Sequence, residues 1–291
     1  MTQLVIRHYA RPTARRHLWI GLAMALIGLA FGLEQAGHWF AAHPMAAAGL
    51  QASFLAGLAT GLGAIPVLFM RRPQADWMAP MLGLAGGMML AASLFSLLVP
   101  AVGHVAESVT PLALGLATAA ALMGGAWAMH TMDRRMPHAH VENIDQASVA
   151  PRLGLVVTAI ALHNVPEGLA VGVAAAAGVD HGMSLGIALQ NIPEGWIVAS
   201  ALLAIGTAPW RAALFALGTG LVEPVGGLFG VLASSIAGDA LPLALAAAAG
   251  AMLWVVSHEL IPASHRPGKE AAGTAGLVTG FAAMALIAGL A

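Results

Sequence analysis

An all-α polytopic membrane protein is the fold class that the sequence predicts, and three observations carry that reading. Hydrophobic residues make up 59% of the 291 positions and charged residues only 9%, whereas soluble domains carry roughly 25% charged residues. Too little polar surface is left to cover a water-soluble globule. Nine apolar runs approach or exceed the length, about 17–25 residues, that an α-helix needs to cross a bilayer. They lack the period-two alternation of polar and apolar residues that a transmembrane barrel requires.

In chain order the runs cover residues 18–33, 46–70, 77–103, 109–132, 153–179, 182–210, 212–238, 240–257 and 271–291. Charge tests their number, because cytoplasmic connections carry the excess of Lys and Arg. With the N-terminus inside, the inner segments hold Arg7, Arg11, Arg15 and Arg16, then Arg71 and Arg72, then Arg134, Arg135 and Arg152, then Arg211, and finally Arg266 and Lys269. That is all 12 basic residues. The outer connections around His38, His104, Asp180 and Asp239 hold none. Adding or dropping a middle span would destroy this asymmetry, so the N-terminus is predicted cytoplasmic and the C-terminus extracytoplasmic. The basic start and first apolar run also resemble a signal peptide, whose removal would leave eight spans in the same orientation.

The chain has no cysteine, which excludes disulfides, thiolate metal sites and Cys nucleophiles. Its net charge of −1 and the absence of any basic patch beyond the inner-loop arginines exclude a nucleic-acid partner. The lipid bilayer is the partner that the composition demands.

Against that background three acids stand out. Of 13 acidic residues, Glu167, Glu194 and Glu223 fall well inside apolar runs, while every Lys and Arg lies in a loop or tail. A central charged side chain costs about 2.5–3.5 kcal/mol to insert, so three would cost on the order of 8–10 kcal/mol if ionised and alone. Either the carboxyls are protonated, or a mobile cation supplies the missing charge.

The neighbours of these acids favour the cation. His163-Asn164-Val165-Pro166-Glu167-Gly168 and Gln190-Asn191-Ile192-Pro193-Glu194-Gly195 say nearly the same thing twice. On a helix turning about 100° per residue, His163, Asn164 and Glu167 share one face, as do Gln190, Asn191 and Glu194. Imidazole, carboxylate and amide oxygen on two facing helices make a donor set suited to a divalent transition metal; a proton relay would not need the amides. Pro166 and Pro193 each free a carbonyl four residues earlier, at Leu162 and Leu189. Gly168 and Gly195 leave room for close helix approach. The expected product is two kinked helices sharing their polar faces. Glu223, in Val222-Glu223-Pro224-Val225-Gly226-Gly227, is a third contributor.

These paired segments, the run Gly87-Met88-Met89-Leu90-Ala91-Ala92-Ser93, Glu223-Pro224 and Ser257-His258-Glu259-Leu260-Ile261-Pro262 resemble the ZIP (Zrt-, Irt-like) family of divalent metal transporters, particularly its bacterial members. The resemblance covers about residues 45–291. It implies a bundle of eight core helices with an inverted repeat, preceded by a basic tail and one extra helix in residues 1–44, with a cytoplasmic loop at about 133–152. It further implies inward transport of metal through a binuclear centre by an elevator-type movement, in the plasma (inner) membrane, and it leaves a homodimer open. Carried over by position, Met89, His163, Glu167, Gln190 and Glu194 form one metal site. Asn164, Glu167, Asn191, Glu194 and Glu223 form its neighbour, with the two shared carboxylates bridging. Gln190 stands where many members have His, and Asn191 where some have Asp, so the centre is less rich in nitrogen and less anionic than it could be. Zinc is the expected cargo, with tolerance for cadmium, iron, manganese and cobalt. No prosthetic group is expected; the metal is the substrate.

Further out, His258 and Glu259 suit an exit path, Pro137-His138-Ala139-His140 a place to catch released metal, and His104 with Glu107 an outer attraction for cations. An intramembrane metal-dependent hydrolase is the competing enzyme reading, since bound zinc with an open position activates water. It would need about three strong ligands and a separate base, whereas one intramembrane His is central here and no His-Glu-x-x-His pair occurs. A proton-coupled carrier of another solute would need an aromatic or basic pocket, and the spans contain no Lys or Arg and few aromatics.

Overall fold

The computed structural model describes residues 24, 34–35, 37–70, 75–103, 110–135, 149–176, 178, 182–237 and 241–290. Contacts divide the chain into residues 1–47 and residues 48–291. In the first unit residues 37–42 are helical, and Trp39 stacks on His43 with ring centroids 4.4 Å apart. The first expected span, 18–33, lies outside the described residues apart from Met24, as do the basic residues of the N-terminal tail.

Every regular element among the described residues is helical, as lipid requires of a chain that must pair its own backbone groups. Helix α1, Pro44–Ala64, tightens into a single turn over Ile65–Phe69. Helix α2, Ala75–Ala91, widens into a π-helical stretch at Ala92–Leu98 and ends at Gly103. Then come α3 (Pro111–Arg135), α4 (Val149–Ala176) and α5 (Met183–Ala204). They are followed by α6 (Pro209–Gly220) and α7 (Glu223–Ala237). Helix α8, Leu241–Val255, passes through a second π-helical turn at Val256–Leu260 and ends at Ser264; α9 is Glu270–Leu290. Among the described residues seven stretches are long and apolar enough to cross a membrane, and the described apolar part of α4, Ile160–Ala175, is a shorter one.

Two expected boundaries differ. The run 182–210 does not stay helical to its end: α5 stops at Ala204, and Gly206 adopts φ +88°, a left-handed conformation that suits glycine. Pro209 then opens α6, where its missing N–H costs nothing. The run 212–238 is two helices, broken at Leu221–Val222. Pro224 falls in the first turn of the second, so Glu223 sits at a helix start rather than in mid-helix. By contrast Pro166 and Pro193 lie inside α4 and α5 without ending them.

Glycine seams draw the helices together. A Cβ on Gly168 would lie 1.9 Å from the Glu223 carbonyl oxygen, and one on Gly195 1.8 Å from that of Thr60. The two glycines thus admit α7 and α1 respectively, while α4 and α5 also touch each other. The same device joins α2 to α9 at Gly87 and Gly280, and α3 to α8 at Gly125 and Gly250. Lys269 Nζ donates to Asp76 Oδ1 at 2.7 Å, tying the loop before α9 to the start of α2.

Candidate metal centre

The eight residues expected to hold metal converge from four helices. Met89 comes from α2; His163, Asn164 and Glu167 from α4; Gln190, Asn191 and Glu194 from α5; Glu223 from the start of α7. All are buried, none more than 9% exposed. The helix period does the placing: residues one and four apart, repeated on two helices packed face to face, put six polar side chains into one layer.

Within that layer two of the three amides are turned onto carboxylates, while the Asn164 amide, nitrogen and oxygen alike, is buried without a hydrogen-bond partner. Gln190 Nε2 donates to Glu167 Oε1 at 2.7 Å. Asn191 Nδ2 donates to Glu223 Oε1 at 2.5 Å and to the Ala56 carbonyl at 2.8 Å, so one amide joins α1, α5 and α7. The reverse orientation of that amide would set three oxygens against one another. His163 Nε2 lies 2.8 Å from Glu259 Oε1. Among the described residues no three His, Asp or Glu groups close on a common point, which follows from this turning of carboxylates to amides and of His163 to Glu259.

What these bonds leave over is the distinctive feature. Asn164 Oδ1, Glu167 Oε2, Gln190 Oε1, Asn191 Oδ1, Glu194 Oε1 and Glu223 Oε2 are buried without a hydrogen-bond partner. Proteins pair nearly all such atoms, because each left alone costs about 1–3 kcal/mol. The three carboxylates also repel: Glu167 feels Glu194 and Glu223, and Glu223 feels Glu194.

A cavity of about 220 Å³ reaches the layer from one end of the bundle. Met89, His163, Glu167, Glu194, His258 and Glu259 supply its polar and sulfur groups, and Leu82, Ile160, Ile197, Val255 and Leu260 much of its apolar lining. No Lys or Arg lines it. At about 30 Å³ per water, it has room for a divalent ion with much of a hydration shell.

Glu259 and His258 lie on the π-helical turn of α8, a kind of irregularity frequent at functional sites. Glu259 therefore faces His163 rather than the solvent beyond a helix end. Sequence reasoning missed Asp133, which is 5% exposed and has Oδ2 3.8 Å from His258 Nε2. The only signal was its spacing from His130, three residues earlier on the same helix. His104, Glu107 and Pro137 to His140 lie outside the described residues.

Fold and site together define an integral membrane protein whose helices converge on a buried acidic, amide-lined centre. The chain belongs to the ZIP zinc transporter family, whose profile matches residues 138–288. It is 45% identical over 246 residues to the zinc transporter GufA of Myxococcus xanthus, covering 80% of this chain and 95% of that one. It is 43% identical over 233 residues to the zinc transporter ZIPB of Bordetella bronchiseptica, covering 78% and 75%. With the zinc transporter ZupT of Escherichia coli it shares 33% identity over 221 residues, 72% of this chain and 84% of that one. Membership of a transporter family agrees with the expectation of a carrier rather than an enzyme.

Proposed function

We propose that the protein carries divalent transition-metal ions across the plasma (inner) membrane into the cytoplasm, zinc foremost, with cadmium, iron, manganese and cobalt tolerated. The observation that carries this is the set of six buried oxygens without donors, beside a cavity that no Lys or Arg lines. A divalent cation is the partner that such a set lacks. The relatives' names supply zinc as the leading ion.

A hydrated ion enters from the outer side and exchanges water for Met89, His163, Glu167, Gln190 and Glu194. Asn164, Asn191 and Glu223 complete an adjoining position that shares Glu167 and Glu194, giving a binuclear centre. His163 has two uses for one nitrogen: Nε2 ligates the ion, or it turns to Glu259 as the ion leaves along the cavity towards His258 and Asp133. That end of α3 carries Arg134 and Arg135, and the loop beyond α8 carries Arg266 and Lys269, so the positive-inside rule makes it cytoplasmic. Movement of α1 and α4–α7 against α2, α3, α8 and α9, between which the cavity lies, would transfer the centre in elevator fashion.

Flux of zinc, cadmium, manganese, iron and cobalt into liposomes containing purified protein tests this, comparing wild type with Glu167→Ala and Glu194→Ala. Zinc flux at least tenfold faster than in either variant is expected, the equivalent of losing about 1.4 kcal/mol or more. Undiminished flux in both variants removes the centre from the mechanism.

A further inference from the structure

We propose that Trp254 and His130 are positioning residues for the cavity mouth, holding the imidazole of His258 where it faces Asp133 and the departing ion. The inference rests on the transport reading above and adds two residues outside the metal centre.

Helices α3 and α8 run parallel. A Cβ on Gly250 would lie 1.9 Å from the Leu122 carbonyl oxygen and 3.1 Å from the Ala126 nitrogen, and one on Gly125 1.8 Å from the Ala247 carbonyl oxygen. One turn on, the same register brings His130 against Trp254, with ring centroids 4.6 Å apart and planes 58° apart. Less than a turn further, Asp133 Oδ2 lies 3.8 Å from His258 Nε2. Within α8, Trp254 and His258 meet across the π-helical turn as a tilted pair, with centroids 5.1 Å and planes 32° apart. The indole therefore touches two imidazoles, one from each helix.

Trp254 Nε1 and His130 Nδ1 are buried and have no hydrogen-bond partner. Ring contact and the glycine seam, rather than polar bonds through those nitrogens, fix the indole. The side chain of His258 is 47% exposed, so a rigid aromatic face behind it narrows the positions its ring samples. When His258 takes an ion its ring becomes electron-poor, and its attraction to the indole face grows. Trp254 thus holds His258 most firmly at the moment of transfer.

Zinc flux and tryptophan emission test this together. Trp254→Leu is expected to lower the maximal rate about three- to tenfold, with the half-saturating zinc concentration unchanged within about twofold, as for loss of one aromatic contact made during transfer. Trp254→Phe, which keeps a ring, restores at least about half of that rate. Trp254→Leu combined with His258→Ala is no slower than His258→Ala alone, because both act through one ring. In the emission of wild type minus Trp254→Phe, added cobalt quenches the signal, and His258→Ala or His130→Leu weakens that quenching while the melting temperature is kept. A wild-type rate for Trp254→Leu, multiplying effects in the double variant, or quenching that survives His258→Ala overturns the proposal. Wild-type flux for His258→Ala overturns it too but leaves the transport reading standing; that reading falls only if Glu167→Ala and Glu194→Ala also transport normally.

Discussion

Asn191 bears more of the centre than any other single side chain, since its amide bonds both Glu223 and the Ala56 carbonyl. Asn191→Ala leaves two buried acceptors without a donor, at about 1–3 kcal/mol. The melting temperature in detergent should drop by several degrees, and an unchanged melt would show that the amide ties nothing together. Gln190 is a different case, because an imidazole there would add a nitrogen donor of the kind zinc favours over manganese. Gln190→His should raise zinc over manganese selectivity on the order of tenfold in competition flux, and an unaltered ratio would place Gln190 outside the coordination sphere. Glu167, Glu194 and Glu223 were legible in the sequence because an acid within an apolar run advertises its own cost. Asp133 was not, since Arg134 and Arg135 beside it make the segment read as an inner loop, although its side chain is folded back against His258. Glu259 was visible but was read as an exit residue near a helix end; the π-helical turn that aims it at His163 leaves no mark in hydropathy.

The helices hold the centre through backbone contact, so single methyl groups decide its geometry. Gly168→Ala places a carbon 1.9 Å from the Glu223 carbonyl oxygen, which forces α7 away from α4 and moves Glu223 with it. Zinc flux should fall about tenfold or more, whereas Gly218→Ala, which meets nothing within 4 Å, should transport as wild type; overpacking of this kind costs about 1–3 kcal/mol. Equal activity of the two variants would refute the close-seam account. The sequence marked Gly168 and Gly195 as points of approach but not their partners, because a glycine tells which helix gives way and not which one enters. The break at Leu221–Val222 was hidden for a related reason: the apolar run is continuous across it. Only Pro224, taken as a first-turn residue, hinted that a helix begins there.

For the molecule as a whole, three acids are buried in one layer beside a cavity that no Lys or Arg lines, and the proposed cargo is the cation that would offset them. Protons compete with metal for carboxylate and imidazole alike, so affinity must fall as pH falls. Zinc binding measured at pH 5.5 and 7.5 should weaken on the order of tenfold or more at the lower value, and pH-independent binding would exclude these ligands. Orientation is open to a direct test because the chain has no cysteine. In intact cells an impermeant maleimide should label Thr110→Cys at the start of α3 and not Pro267→Cys before α9, and the reverse pattern would invert the topology. The all-helical, membrane-spanning character was the most legible level of all, since composition and hydropathy are summed over many positions. The cavity was the least, because it depends on how non-neighbouring helices meet.

The most direct measurement is anomalous scattering at the zinc edge from crystals of the full chain soaked in zinc. A peak is expected between α4 and α5, bound by both Glu167 and Glu194 with Met89, His163 and Gln190 around it, and absent in the Glu167→Gln, Glu194→Gln double variant. Zinc seen only elsewhere on the protein, or the same peak persisting in that variant, would contradict the proposed centre.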